Sequence, residues 1–354
     1  MNIEFIVIKN LRSIKSLKLQ FPSSTPTVIY GKNGIGKTTV LEAIELLLKG
    51  ETFPGTPRGA LLMSDENEAL VIGEARYKDT TFNGKVKIVK EKMAFNREPR
   101  ILLERDGLKD DLIKTVLFTT RDSLLVSGPA EKRREFLDKS LLSLKPTLNY
   151  HLNYFNKALR QRNILLKQIG GRLKEDDKST LTVWNDRLAP SGELIIHERI
   201  ALINKLNEKV CSLYKTISAT NDRVNLDYEL SAKLPYSDAL LKAQQEDIKK
   251  GMTTVGPHRD DLKITIENRD ARSMASRGEQ RSIAISLILS CYEILLDDFK
   301  DQPILLLDDL TSELDKERVL KILEITNGSQ TLITSTAPIA PSNSTNNIFF
   351  EEVI

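Results

Sequence analysis

Residues 31–39 read GKNGIGKTT and match the pattern G-x-x-x-x-G-K-[ST] in full. The glycines of this pattern let backbone N–H groups wrap a chain of phosphates. An apolar, strand-like run, TVIY, precedes the loop, and a helix-like run, TVLEAIELLLK, follows it. That context disfavours the alternative, an accidental glycine turn. The stretch therefore predicts a phosphate-binding P-loop in an α/β fold.

The P-loop gives individual side chains expected roles, with ATP as the expected ligand. Lys37 would reach the outer phosphates and is also a candidate catalytic residue, and the Thr38 hydroxyl would bind Mg²⁺. The residues expected to bind the nucleotide are Gly31, Lys32, Asn33, Gly34, Ile35, Gly36, Lys37, Thr38 and Thr39.

A second motif, PILLLDD at residues 303–309, places two carboxylates after an aliphatic run. Alone, it is equally well read as a buried strand whose aspartates cap the next turn. Beside a P-loop, it predicts a partner strand with Asp308 at the Mg²⁺ and Asp309 orienting or deprotonating the attacking water. The following TSELD, which ends at Asp315, predicts a second short loop near the same phosphates.

A third motif is the helix start in MASRGEQRSIAISLILS, residues 274–290. Ser276 is a good N-cap, and a glycine at Gly278 leaves room for an anion to approach the backbone. In isolation a simple N-cap is the more natural interpretation. Between a P-loop and an acidic strand, however, Ser-x-Gly-x-Gln resembles the second helix start of ABC-type ATPases. The resemblance implies that Ser276, Gly278 and Gln280 cap the γ-phosphate held by a second protomer.

The order of patterns along the chain predicts the domains. Strand-like stretches fill residues 1–30 and 70–105, helical spacing dominates residues 111–249, and helices alternate with strands after residue 278. Such alternation indicates a parallel sheet with right-handed crossovers. We therefore expect an ATPase head from residues 1–115 and 250–354, with an inserted, mostly helical arm over residues 116–249.

Composition limits the class of protein. The 354 residues are 40% hydrophobic, and the net charge is only +3, so a nucleic-acid surface would need local clustering of charge. The N-terminal residues lack the layout of a signal peptide, and no uninterrupted apolar run is long enough to span a membrane. Cys211 and Cys291 lie far apart without metal-binding spacing. We expect a cytoplasmic protein with two reduced thiols and no membrane contact.

Further segments, in order, closely resemble the RecF family of bacterial recombination mediators. They are IKNLRSIKSLKLQF, SGPAEKRREFLDKSL, YFNKALRQRNILLKQ, VWNDRLAPSGELI, GPHRDDL, ASRGEQR and LLLDDLTSELD. The resemblance implies a P-loop ATPase head of the ABC/SMC type with a helical arm. It also implies ATP-dependent dimerisation on duplex or gapped DNA or at an ss–ds junction, and cooperation with RecR and RecO in loading RecA. Hydrolysis of ATP would be slow and weak, would be stimulated by DNA, and would serve as a release switch.

The chain departs from the family at two positions near the nucleotide. Residues 119–122 read TTRD, where RecF proteins commonly carry a Pro-Glu pair, which leaves the roles of Thr120 and Arg121 open. The strand LITST lacks the histidine switch of ABC transporters, and Ser335 or Thr336 occupies its position. Two residues near the motifs have no assigned role. They are Arg277 and His258. A lone histidine in a loop is more often structural than a ligand of nucleotide or DNA.

Residues 139–174 contain no Asp or Glu. Tyr150, Tyr154 and Phe155 are interleaved with the basic residues Lys139, Lys145, Lys157, Arg160, Arg162, Lys167, Arg172 and Lys174. A basic, aromatic-bearing arm favours contacts with DNA phosphates that weaken with salt. The alternative, a solvated helix face whose aromatics pack inward, is equally open. No base-reading motif is present, so binding would follow DNA structure and not sequence.

Two other functions compete with a switch driven by ATP hydrolysis. A DNA-end-processing ATPase of the SMC-like class would need a longer coiled-coil arm or a segment that docks a nuclease, and the sequence shows neither. A DNA clamp with purely structural ATP would carry the same motifs, so only measured turnover separates it from a switch.

Overall fold

The structure is a computed structural model that describes residues 1–22, 25–53, 55–78, 80–90, 98–106, 113–171, 174–299, 302–339 and 345–352. It divides into two compact units. The first unit comprises Met1–Asp122, Thr216–Ser218 and Cys291–Ile354, and the second unit comprises Ser123–Lys215 and Ala219–Ser290. Over the described residues, no helix is both long enough and apolar enough to cross a bilayer.

The elements are numbered in chain order. The strands are β1 (Asn2–Leu11), β2 (Ile14–Gln20), β3 (Thr27–Tyr30), β4 (Glu68–Tyr77), β5 (Thr80–Val89), β6 (Arg100–Arg105), β7 (Thr115–Phe118), β8 (Val224–Glu229), β9 (Asp261–Ile266), β10 (Arg269–Asp270), β11 (Ile304–Leu307), β12 (Thr331–Ser335) and β13 (Asn346–Phe349). The α-helices are α1 (Lys37–Lys49), α2 (Leu124–Ser127), α3 (Ala130–Leu144), α4 (Leu148–Ile169), α5 (Glu175–Ser218), α6 (Tyr236–Lys250), α7 (Ala271–Met274), α8 (Arg277–Phe299), α9 (Leu310–Glu313) and α10 (Lys316–Ile325).

A five-stranded parallel sheet organises the first unit, in the order β13-β3-β12-β11-β7. All four residues of β11 are fully buried, as expected for a parallel strand covered on both faces. Because the strands are parallel, their carboxyl ends meet at one edge of the sheet. The predicted strands in TVIY, PILLLDD and QTLITS are confirmed, and the helix predicted after the P-loop begins at Lys37.

A second sheet of the first unit is antiparallel, in the order β2-β1-β4-β5-β6. The alternation in LKLQF is confirmed, because Leu17, Leu19 and Phe21 are buried while Lys18 and Gln20 are exposed. Helix α1 contacts β1, β4 and β5 of this sheet and β12 of the parallel sheet. One hydrophobic core therefore joins both sheets through α1, and this core fixes the start of the helix behind the P-loop.

The compact units and the predicted domain boundaries do not coincide. Strand β7, which falls mostly within the predicted arm, pairs in parallel with β11 and belongs to the central sheet of the first unit. Residues 250–290 fall in the second unit, because β9 pairs with β8 and β10 and contacts α3. The division into a head of residues 1–115 and 250–354 and an inserted arm of 116–249 remains a prediction.

The second unit is built mainly from helices, as the spacing in residues 111–249 predicts. Its longest helix is α5, with 44 residues, and a three-stranded sheet in the order β10-β9-β8 accompanies the helices. Helices α4, α5 and α6 share an apolar cluster that includes Phe155, Leu188, Ile195, Tyr236 and Leu240. These contacts make the middle of α4 a core element of the unit.

An ion pair buried within this helical unit links α4 to α6. Arg162 and Asp247 are both fully buried, and their Nη1 and Oδ2 atoms lie 2.7 Å apart. Arg162 also donates to Asn185 Oδ1 of α5 at 2.8 Å, and Asp247 Oδ1 accepts the N–H and the hydroxyl of Thr254. Because every partner lies inside the protein, loss of one charge would leave the other buried without compensation.

We expect Asp247→Ala to lower the free energy of unfolding by about 3–5 kcal/mol, because Arg162 would stay buried and unpaired. The neighbouring Glu246 pairs with Lys250 on the surface, with side chains about half exposed. Glu246→Ala is therefore the matched control and should lower the free energy of unfolding far less, because a solvent-exposed ion pair contributes little to stability. Thermal denaturation of both variants measures the difference, and equal losses would contradict a special role for the buried pair.

Candidate nucleotide-binding site

The P-loop connects β3 to α1 with a backbone that requires glycine. Gly31, Gly34 and Gly36 have φ angles of 153°, 82° and 110°, in the region that disfavours other residues. A Cβ atom at Gly31 would lie 2.7 Å from Ile35 Cδ1, and one at Gly36 would lie 2.9 Å from Ser13 Oγ. Around Gly34 no described atom lies within 4 Å of the Cβ position, so this part of the loop is open to a ligand.

The loop presents backbone donors to that open side. Among the described residues, none accepts a hydrogen bond from the N–H groups of Asn33, Gly34, Ile35 or Gly36. The 13-residue helix α1 begins directly after these groups, and no side chain caps it. Unpaired N–H groups at a helix N-terminus are a general binding site for phosphate. The loop therefore fits the phosphates of ATP.

Lys37 lies across the loop. Its Nζ donates to the carbonyl oxygens of Gly31 at 2.7 Å and Lys32 at 2.6 Å. Burial lowers the pKa of Lys37, and the negative charges of Asp309, Asp308 and Glu351 oppose that shift. The carbonyl partners are neutral, so the ammonium charge is not neutralised by direct contact and remains available to a phosphate.

Asp308 lies at the carboxyl end of β11, where two hydroxyl groups bind it. Its Oδ1 accepts hydrogen bonds from Thr38 Oγ1 at 2.8 Å and from Thr334 Oγ1 of β12 at 2.7 Å. The side chain is largely buried, and this burial raises the pKa of Asp308 although both hydrogen bonds oppose the shift. The structure thus brings the two predicted Mg²⁺ ligands, Thr38 and Asp308, into direct contact.

A hydroxyl and a carboxylate oxygen at this spacing fit Mg²⁺. This ion is usually bound by one or two carboxylates together with substrate phosphates and water, without a cage made only of protein ligands. No cluster of three His, Cys, Asp or Glu side chains suited to a metal occurs in the described parts of the chain. Thr38 and Asp308 would hold Mg²⁺ only beside a bound nucleotide.

Asp309 has one carboxylate oxygen without a partner. Its backbone is left-handed, with φ at 51° and ψ at 42°, and its N–H donates to Thr334 Oγ1 at 2.8 Å. Oδ2 accepts from Ser312 Oγ at 2.7 Å, whereas Oδ1 is buried and accepts no hydrogen bond from the described residues. A buried acceptor left unpaired is unfavourable, and strained backbone is common at functional sites. Oδ1 is therefore suited to bind a water molecule.

Sequence reasoning missed Thr334, which bridges the two aspartates. Its hydroxyl donates to Asp308 and accepts from the N–H of Asp309. The available signal is a polar residue inside the buried, apolar strand β12. The next residue, Ser335, is one of the two candidates for the position of the histidine of ABC transporters, and it shares a hydrogen bond of 3.0 Å with Thr311. Ser335 thereby ties the end of β12 to the TSELD segment, while Thr336 is exposed.

Asp315 is engaged at another helix. Its carboxylate accepts from Arg318 N–H at 3.0 Å as the N-cap of α10, and it also pairs with the Arg318 guanidinium. Its predicted contact with the nucleotide remains a prediction.

Thr120 and Arg121 lie in the 3₁₀ turn Thr120–Ser123. Just before this turn, Thr119 N–H donates a hydrogen bond to Asp122 Oδ2 at 2.6 Å.

Ser276 begins α8 in the second unit, as the N-cap prediction requires. Its hydroxyl accepts from Glu279 N–H at 3.3 Å, and its own N–H donates to Glu279 Oε2 at 2.6 Å. Hydrogen bonds from the Ser276 hydroxyl and the Ser276 N–H to the carboxylate lower the pKa of Glu279. Gln280 is turned backward, and its amide donates to the carbonyl oxygens of Ala271 and Arg272. Gly278 is half-buried and Arg277 is exposed.

His258 is part of the interior of the second unit. Its Nε2 lies 3.1 Å from the carbonyl oxygen of Thr253, and its ring centre lies 5.9 Å from that of Phe155. Burial lowers the pKa of His258 to about 4, so the ring is neutral at pH 7. This placement favours the structural interpretation of His258.

The predicted basic arm of residues 139–174 is not uniform. Arg162 is buried beside Asp247, Lys145 pairs with Glu198 at 2.6 Å, and Phe155 is buried. Tyr150 and Tyr154 are exposed. Arg172 lies outside the described residues. The predicted contact of this arm with DNA remains a prediction.

We expect Asp308→Asn to leave the free protein as stable as the parent, or more stable. The amide oxygen can still accept from Thr38 and Thr334, while a buried charge is removed. The variant should lose stabilisation by Mg-ATP, which for the parent is about 2.7 kcal/mol at a hundredfold excess over Kd. Thermal denaturation with and without Mg-ATP measures both effects. A variant stabilised by Mg-ATP as strongly as the parent would show that Asp308 does not hold the metal.

Comparison with known proteins agrees with this geometry. Residues 2–348 match the RecF/RecN/SMC N terminal domain family. The DNA replication and repair protein RecF of Lachnoclostridium phytofermentans is 35% identical over 338 residues, which cover 95% of this chain and 93% of the relative. RecF of Agathobacter rectalis is 34% identical over 341 residues, covering 95% and 92%.

Solved structures show the same relationship. A structure of the recombination mediator protein RecF-ATP in the RecFOR pathway aligns with a TM-score of 0.82 and 31% identity, covering 95% of this chain and 92% of the other. An Smc head domain from Pyrococcus furiosus, at 16% identity and a TM-score of 0.53, shares the fold alone. The chain therefore belongs to the RecF/RecN/SMC N terminal domain family and, within it, to the RecF family of DNA replication and repair proteins.

Proposed function

We propose that this chain is an ATP-dependent DNA-binding protein of replication and recombinational repair, in which ATP closes a homodimer on DNA and slow hydrolysis opens it. The observation that carries the proposal is the group formed by the open P-loop, Asp308 and the unpaired Asp309 Oδ1. Phosphate-binding donors, metal ligands and an acceptor for water occur together at one edge of the sheet. This combination is what hydrolysis of a nucleoside triphosphate requires.

The P-loop would bind the phosphates of ATP through its unpaired N–H groups, and Lys37 would contact the outer phosphates. Thr38 and Asp308 would hold Mg²⁺, which neutralises charge on the phosphates when it is bound. RecF relatives of known structure bind ATP and a related nucleotide, which supports the choice of ligand. The other loop residues, and Asp315 at the start of α10, are proposed contacts.

Asp309 would orient the attacking water and accept its proton. Its Oδ2 is held by Ser312 and its N–H by Thr334, so the direction of the carboxylate is fixed before ATP binds. Oδ1 is left for the water. A base fixed in this way needs little rearrangement during the reaction. Slow turnover suits a release switch.

Ser276 would complete the site of a second protomer. Its oxygen accepts from Glu279 N–H and so caps the helix, while its hydroxyl, which also hydrogen-bonds to the Glu279 carboxylate, would turn to donate to a phosphate oxygen of the partner's nucleotide. Gly278 leaves the first turn of α8 open to that phosphate. Gln280, whose amide donates to the carbonyl oxygens of Ala271 and Arg272, is the third proposed contact with that nucleotide. ATP can favour the closed dimer only as far as it binds that state better than the open one.

The DNA partner is proposed from the family and from the basic residues of the arm. Relatives are named for DNA replication and repair and for the RecFOR pathway, so duplex or gapped DNA in the cytoplasm and the partners RecR, RecO and RecA are the proposed setting. No base-reading motif is apparent, and recognition would follow the structure of the DNA. The head and arm division given by the sequence is part of the same proposal.

Two substitutions separate nucleotide binding from dimerisation. Lys37→Ala should lose ATP binding, whereas Ser276→Arg should bind ATP but remain monomeric because the arginine fills the space for the partner's phosphate. Ser276→Asp is the sharper variant, since aspartate caps a helix as well as serine but repels the γ-phosphate. Sedimentation with and without ATP measures the oligomeric state. ATP-dependent dimers of Ser276→Asp as stable as those of the parent would rule out the cap in trans.

Removal of the proposed base should hold the protein on DNA. Asp309→Asn should bind ATP normally, turn it over at least about a hundredfold more slowly, and stay on gapped DNA longer. A gel shift on gapped, duplex and single-stranded DNA with ATP, ADP or no nucleotide measures the switch, together with ATP turnover. Equal DNA binding in all three nucleotide states would refute the switch, and unchanged turnover in Asp309→Asn would refute the role of Asp309.

A further inference from the structure

Helix α4 carries no acidic residue along its 22 positions, LNYHLNYFNKALRQRNILLKQI. Its buried side includes Phe155, Ala158, Arg162 and Leu166, so one face is fixed in the core of the second unit. The opposite side is exposed and includes neutral residues such as Ile164; its Tyr150, Tyr154, Lys157, Arg160 and Lys167 are here called the α4 face. An amphipathic helix usually mixes charges of both signs on its outer face, and this one shows only positive charge.

The two tyrosines of the α4 face form an exposed aromatic pair. Tyr150 is 68% exposed and Tyr154 is 37% exposed, and their rings stack with centres 6.0 Å apart and planes 23° apart. His151 meets the edge of Tyr150, with ring centres 5.3 Å apart. Phe155, by contrast, is buried beside Tyr236. Packing of the core therefore explains Phe155 and leaves the tyrosine pair unexplained.

The basic side chains of the α4 face are not neutralised within the protein. Lys157, Arg160 and Lys167 form no ion pair with any described residue, whereas Lys145, just before the helix, is paired with Glu198. Among the described residues, Arg160 bonds to the carbonyl oxygen of Asn156 in its own helix and to no acidic side chain. From Tyr150 to Lys167 the face extends about 25 Å, at about 1.5 Å per residue. The surface is thus a long strip of free positive charge with aromatic rings at one end.

We propose that the α4 face binds single-stranded DNA, with Tyr150 and Tyr154 stacking on unpaired bases and Lys157, Arg160 and Lys167 contacting the phosphates. Aromatic rings beside a positively charged track are the general means of binding single strands, because any base offers a flat face for stacking. In a duplex those faces are already stacked on one another, so the tyrosines have nothing to bind. The pairing of rings with cations therefore favours a single strand over a duplex.

This inference rests on the proposed function, in which the chain binds gapped DNA. It adds that the α4 face binds the single-stranded part of a junction, so the duplex part would bind elsewhere on the protein. The charge of the face suits any polyanion, but only unpaired bases also make use of the exposed rings.

The central test replaces both tyrosines in the full chain. Tyr150→Ala with Tyr154→Ala should weaken binding of a labelled oligothymidine about tenfold or more, because one stacked base contributes that much. Binding of a duplex of the same length should not change. Tyr150→Phe with Tyr154→Phe keeps the rings and should bind like the parent. Leu241→Ala, at a residue 59% exposed on α6, is the control for loss of an exposed apolar side chain.

The cations should act differently from the rings. Lys157→Ala should weaken binding of single-stranded DNA and, because it removes a phosphate contact, reduce the slope of log K against log salt by about one unit. Fluorescence anisotropy at several salt concentrations, with ATP present, measures all these variants.

A spectroscopic readout reports stacking directly. The chain has one tryptophan, Trp184, which gives the background signal. A Tyr150→Trp variant should show quenched tryptophan fluorescence when oligothymidine binds and little change when duplex binds. Full quenching by duplex would overturn the stacking assignment.

The outcomes separate this inference from the proposed function. Unchanged single-strand binding by the double alanine variant, or an equal loss on single strand and duplex, would overturn the inference while ATP-dependent duplex binding kept the proposed function intact. A parent protein that binds no DNA in any nucleotide state would refute the proposed function itself.

Discussion

The hydrogen bond from Thr38 to Asp308 joins residues 270 positions apart, and the candidate site depends on it. The two residues meet because β3 and β11 both pair in parallel with β12, which lies between them. Thr334, at the end of that middle strand, donates to the same carboxylate oxygen. Parallel pairing therefore aligns the P-loop with the acidic strand before any nucleotide binds, at the edge of the sheet where ligands of open α/β sheets bind.

The free site is held in an unfavourable electrostatic state. Burial raises the pKa of Asp308 and lowers that of Lys37, so the charged form of each is disfavoured by its surroundings. Asp309 adds a left-handed backbone and a buried oxygen without a donor. Mg²⁺, phosphate and water would supply the missing partners of these groups. Binding would therefore stabilise the two charges and satisfy the buried oxygen of Asp309.

The segment GPHRDDL acts in this chain as a set of structural contacts. Asp261 receives two hydrogen bonds from Arg133, at 2.7 and 2.8 Å, which join α3 to the start of β9. Asp260 accepts from the Tyr228 hydroxyl of β8 at 2.9 Å, and His258 is neutral and turned toward Thr253. Buried polar pairs thus complement the apolar clusters of the second unit, and in the Arg162–Asp247 pair both side chains are fully enclosed.

The sequence by itself determined the P-loop, the aliphatic strand before Asp308 and the helix start at Ser276. These follow from local rules: glycine where φ is positive, a capping hydroxyl at a helix start, and an unbroken apolar run in a buried strand. Only the tertiary structure decided that Thr334 bridges the two aspartates, that Asp309 keeps an unpaired oxygen, and that β7 joins the central sheet. It also decided that Phe155 packs inward while Tyr150 faces solvent. The physical reason is that burial and long-range pairing are set by residues far away in the chain, which local patterns do not contain.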